Sequence, residues 1–88
     1  MSYDYQKERP GLFTDEGQRM LLSVRDRTQR MLAASGAARL QEMIKGETGD
    51  SWRMMACADR LVELGELREV EQVGYVPGQY RLFVSARS

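Results

Sequence analysis

Two arginines, Arg53 and Arg60, lie two helical turns apart in GDSWRMMACADRLVELGELREV, residues 49–70. On a helix stepping about 100° per residue they share one arc with Trp52, Ala56, Asp59 and Glu63. A guanidinium fork can donate two parallel hydrogen bonds to a guanine edge or a phosphate, so Arg53 is a candidate base contact and Arg60 a candidate phosphate contact. Ser51 stands where a helix N-terminus can hold a phosphate, and small Ala56 would let the helix lie close to the bases. Arg39, Lys45, Arg68 and Arg81 are flanking candidates for backbone phosphates, and Tyr75 can stack or donate a hydrogen bond. The chemistry these types support is recognition of an anion by hydrogen bonds.

Bond-making chemistry has little to work with. The chain has no histidine and one cysteine, Cys57, so the sequence offers no zinc site and no internal disulfide. Phosphate-cradling glycine loops, nucleophile elbows and metal-ligand spacings are all missing, and 88 residues leave little room for a ligand pocket. The expectation is a non-enzyme with no cofactor, no metal and no small-molecule ligand. Thirteen basic and thirteen acidic side chains cancel, so affinity for nucleic acid must come from a local patch. Residues 1–45 hold eight Lys/Arg against six Asp/Glu, and residues 46–88 hold five against seven. No run reaches the roughly 18 apolar residues of a membrane span, and the N-terminus lacks an apolar signal core. A reducing, cytoplasmic setting is expected.

The elements that must position these residues follow from periodicity and caps. Residues 1–13 are polar with a Pro-Gly stop and read as a flexible N-terminal arm, leaving a domain over 14–88. Thr14 or Asp15 caps a helix predicted over 14–34, with Met20, Leu21, Val24, Thr28, Met31 and Leu32 on its inner face. Leu22 falls on the outer face and is a candidate dimer contact. Ser35-Gly36 breaks the pattern, and a second helix is predicted over 36–45 with Ala37, Leu40, Met43 and Ile44 inward. KGETGD turns the chain into a third helix over 51–64 that packs Met54, Met55, Ala58, Leu61 and Val62 inward, with Cys57 beside them. Gly65 is placed to end it in a left-handed conformation. Two strands, about 66–73 and 79–85, flank a tip at GYVPG; in the second, Tyr80, Leu82 and Val84 alternate with Gln79, Arg81 and Phe83.

A three-helix bundle followed by a β-hairpin, with a glycine-bearing turn before the third helix and DRLVELGEL leading into the hairpin, resembles the winged helix-turn-helix superfamily. The resemblance covers residues 14–86 and implies an α+β, mainly α fold. It also implies a small transcriptional regulator, dimeric, whose third helix enters the major groove of double-stranded DNA. Two features pull toward the alternative, a winged helix that docks a protein partner through Trp52, Met55 and the tip from Tyr75 to Pro77. Residues 49–66 set Arg53 and Arg60 against Asp50, Asp59, Glu63 and Glu66, and the tip carries no basic residue. Trp52 fits equally as a residue folded back on the core.

Overall fold

A computed structural model describes residues 2–70 and 81–86. The order of elements is α1 (Tyr5–Glu8), a 3₁₀ turn (Arg9–Phe13), α2 (Asp15–Ser35), β1 (Ala37–Arg39), α3 (Leu40–Met43), α4 (Ser51–Glu63), β2 (Leu67–Val70) and β3 (Leu82–Ser85). The described chain is mainly helical and carries one small antiparallel sheet in the order β1-β3-β2.

The long helices form where caps and apolar periodicity agree. Thr14 accepts a hydrogen bond from the Gly17 amide at 3.0 Å, and Asp15 and Glu16 follow in the positive first turn of α2. Met20, Leu21, Val24 and Thr28 are buried along one stripe, and the Thr28 hydroxyl satisfies itself on the Val24 carbonyl at 2.7 Å. Asp50 caps α4 by accepting from the Trp52 amide at 2.9 Å. Gly65, at φ 78°, turns the chain out of α4 in the left-handed region and delivers Leu67 to the core.

Four sequence expectations meet a different arrangement. The segment expected as an arm is helical over residues 5–13, and Leu12 is fully buried against α2 and α4. Its polar composition hides this because its contacts are made largely by tyrosine hydroxyls and arginines. The helix expected over 36–45 shrinks to Leu40–Met43, since Ala37–Arg39 pairs antiparallel with β3 at Ala37↔Val84, Ala38↔Phe83 and Arg39↔Leu82. Three residues are too few for a strand pattern to be legible. Val62, placed inward on the wheel, is 37% exposed because the core-facing stripe of α4 runs along Met54, Cys57, Ala58 and Leu61.

The fourth difference is the parity of β3. Phe83 is fully buried, whereas Leu82 and Val84 are only half-buried. The large ring takes the core side with Ala38 from β1, while Arg81, stacked 5.1 Å over Phe83, carries its charge out to carboxylates at the rim. The predicted strand ends at 71–73 and 79–80 and the tip with Tyr75 and Pro77 lie outside the described residues.

Candidate interaction surface

Helix α4 has three longitudinal sides. Met54, Cys57, Ala58 and Leu61 face the core. A second side, with Arg53, Ala56, Arg60 and Glu63, is roofed by the chain's own N-terminal segment. Gly11 lies against the Arg53 guanidinium, and Phe13 sits between Arg9 and Arg60, whose guanidiniums are 5.0 and 5.2 Å from its ring centre. Tyr5 donates to Glu63 at 2.7 Å, and Arg9 donates to both Glu63 oxygens at 3.0 and 3.2 Å. Ala56, flanked by these contacts, has no exposed surface and touches no external ligand in this arrangement.

The arginines of the expected reading face are therefore already partnered. Arg60 donates to Glu63 at 2.8 Å, and Arg53 lies 3.9 Å from Glu16. Arg81 spans two carboxylates, reaching Asp59 at 2.7 and 3.2 Å and Glu69 at 2.7 and 2.9 Å, while Tyr3 donates to Asp59 at 2.5 Å. Burial pulls the Arg81 pKa down, but hydrogen bonds to Glu69 and Asp59 outweigh it and hold the guanidinium charged. Hydrogen bonds from Tyr5, Arg60 and Arg9 draw the Glu63 carboxyl down to about 2. Burial, then the bond to Glu63, pushes the Tyr5 hydroxyl up to about 12.

At the N-terminus of α4, Ser51 is exposed, yet the Asp50 carboxylate already occupies the cap. An anion arriving there meets a negative charge in the place where the helix would hold it. The Cys57 thiol is buried, and that burial lifts its pKa to about 12, which makes it an inert packing group.

The third side of α4 remains accessible. Trp52 is half-buried, Met55 is half-buried with part of its side chain packed against the core, Asp59 is bound to Arg81 and Tyr3, and Val62 is exposed. Met55 and Asp59 of α4 line an open groove of about 820 Å³ together with Ser2, Tyr3, Asp4 and Tyr5 of the N-terminal segment and Glu69 and Arg81 of the sheet region. Three carboxylates and one guanidinium give this lining a negative balance.

The flanking cations stand apart. Arg39, Lys45 and Arg68 are exposed, and none pairs with a carboxylate among the described residues. Arg39 and Arg68 lie in the sheet, and Lys45 follows α3. Leu22, 59% exposed, faces outward from α2 as its wheel position requires. Tyr75 falls outside the described residues.

Tyr3, Tyr5, Arg9 and Phe13 carry the roof over α4, and none was expected to act there. One signal for it was Gly17, a residue that costs helix propensity in an otherwise continuous helical pattern and so hints at a packing requirement, which the Gly11 and Leu12 backbone supplies. Among the described residues no group of three or more His, Cys, Asp or Glu side chains is placed to hold a metal ion, and no helix is long and apolar enough to cross a membrane. Comparison with protein-family models, with curated proteins and with solved structures found no match.

Proposed function

We propose that this chain is a winged-helix module that docks a protein partner through the accessible side of α4, centred on Trp52 and Met55, and the groove beside it. The fold part of the proposal is supported by the order α2-β1-α3-α4-β2-β3 with β3 central in a three-stranded sheet. The docking part rests on one observation: Arg60 and Arg81 are hydrogen-bonded to Glu63, Asp59 and Glu69 and Arg53 lies at ion-pair distance from Glu16, while the side chains left at least partly accessible on α4 include Trp52, Met55 and Val62. Aromatic and methionine side chains are enriched at the centres of protein interfaces, and charge is depleted there. The negative lining of the groove favours a partner that brings basic side chains around an apolar anchor.

A second reading, the DNA-binding regulator with α4 in the major groove, keeps one observation in its favour: Arg39, Lys45 and Arg68 are exposed without a partner among the described residues. Retention of the purified protein on mixed-sequence duplex DNA at about 50 and about 200 mM salt separates the two, because phosphate contacts give a steep salt dependence. The docking reading expects no retention at the lower salt. It also expects a protein captured from cells that make the chain to be lost in a Trp52→Ala, Met55→Glu variant and kept in an Arg39→Ala, Lys45→Ala variant. DNA retention that disappears with Arg39 and Lys45, and is indifferent to Trp52, would sink the docking reading and favour the regulator.

A further inference from the structure

The sheet turns a second surface outward, on the side opposite Phe83, Ala38 and Leu67. Antiparallel register puts directly opposed residues on the same face. Arg39↔Leu82↔Val70 and Ala37↔Val84↔Arg68 therefore form two adjacent rows across the outer face. Leu82, Val84, Val70 and Ala37 are half-buried, and Arg39 and Arg68 are exposed. No carboxylate belongs to either row; Glu69 points to the other face, where Arg81 holds it.

This distribution is unusual for the chain. Acids and bases are equal in number, and seven arginines, Arg9, Arg25, Arg27, Arg30, Arg53, Arg60 and Arg81, each lie within ion-pair distance of a carboxylate. Arg19, Arg39 and Arg68 have no such partner among the described residues; Arg19 lies on α2, whereas Arg39 and Arg68 share one face of the sheet. They sit on the two outer strands, two strand spacings apart across the sheet and two residues apart along it, which separates their Cα atoms by about 12 Å. Between them lies a strip of aliphatic side chains.

We propose that this outer face binds an acidic, aliphatic protein segment, whose apolar side chains cover Leu82, Val84 and Val70 while its carboxylates meet Arg39 and Arg68. Two arginines whose Cα atoms stand about 12 Å apart around an aliphatic strip match a short segment carrying acids on either side of apolar residues. A duplex backbone fits less well. It gains affinity from many phosphates at once, and an aliphatic strip offers its bases no aromatic surface to stack on. The face is separate from the α4 surface, so the module would present two partner sites of opposite preference.

The test is a titration of isotope-labelled full-length protein with a short synthetic peptide alternating glutamate and leucine, followed by amide chemical shifts. The same peptide with lysine in place of glutamate, and a short mixed-sequence duplex, serve as comparisons. Saturable shifts confined to residues 37–39, 67–70 and 82–85 are expected from the glutamate peptide. Affinity should fall about tenfold in an Arg39→Glu, Arg68→Glu variant, which replaces two exposed attractions by two repulsions. An Arg39→Lys, Arg68→Lys variant should retain most of it, and Trp52→Ala should leave it unchanged. Both arginines are exposed, so a native-like spectrum of each variant is expected and checks that folding is intact. Absence of shifts at about 1 mM peptide would overturn the proposal. So would equal binding of the lysine peptide, shifts centred on α4, or tighter binding of the duplex through the same two arginines.

Discussion

Replacing Gly17 by alanine reverses the effect such a change ordinarily has on a helix. In the first turn of α2, alanine should gain up to about 1 kcal/mol over glycine through lower backbone entropy in the unfolded chain. Here a Cβ would overlap the Gly11 carbonyl oxygen and stand 2.7 Å from Leu12 Cα and 2.9 Å from Leu12 C. These are backbone atoms, and Leu12 is fully buried, so the roof segment must move as a body. Overpacking of a closed site costs about 1–3 kcal/mol, and backbone overlap on two residues puts this case at the upper end or beyond. After the propensity gain, a net loss of about 2 kcal/mol is expected, which lowers Tm by roughly 8–16 °C for a domain of this size. Urea unfolding followed by circular dichroism measures it. Gly11→Ala is the control: its Cβ would meet Arg53 Nε at 3.2 Å, the far end of a flexible side chain that can swing away, so stability should barely change. Gly17→Ala protein as stable as the wild type would refute the close docking of residues 9–13 on α2, and with it the roof over α4.

Three further predictions test the sheet and the clasp on α4. Phe83→Ala should cost about 3–5 kcal/mol, most of what a domain this small possesses, whereas Leu82→Ala should cost no more than about 1 kcal/mol. Equal losses in denaturant titrations would restore the opposite strand parity. Glu63, with its folded pKa at about 2 against an ordinary 4.5, contributes stability that is complete above pH 4.5 and fades as pH falls toward 2. Glu63→Gln should flatten that limb of the pH–stability curve, and an unchanged acid limb in the variant would mean that the Tyr5, Arg9 and Arg60 bonds do not form in solution. Tyr5 gives the opposite limb: its neutral hydroxyl supports the fold below pH 10, and that support is lost as pH rises toward 12. Tyr5→Phe should remove it.

Helices α2 and α4 were legible because local signals agree there. Thr14 and Asp50 cap, Gly36 and Gly65 terminate, and the inward residues recur at three and four. What escaped was set by tertiary contact. Ala37–Arg39 is extended because β3 offers it a ladder, and nothing in Ala-Ala-Arg says so. The parity of β3 depended on a contest between Phe83 and its aliphatic neighbours, decided by carboxylates on α4 and β2 that relieve Arg81 beside the ring. For the N-terminal segment the usual rule ran in reverse, since tyrosines and arginines read as solvent-facing became structural by finding acids more than fifty residues away.

The site itself was half legible for the same reason. The wheel placed Arg53, Ala56 and Arg60 on one arc, but a wheel shows only which residues share a side and not what already lies there. An arginine held by a carboxylate contributes to binding a phosphate only the difference between the two anions, and the displaced carboxylate is left facing the incoming charge. Arg60 would have to leave Glu63, which would still be held by Arg9 and Tyr5, within reach of the phosphate it repels. Arg81 would have to leave Asp59 and Glu69 together. Arg39 and Arg68 meet no such exchange. For equal chemistry at the anion, the outer face of the sheet is the more receptive surface, and under the proposed docking α4 would recognise its partner by shape and apolar contact through Trp52 and Met55.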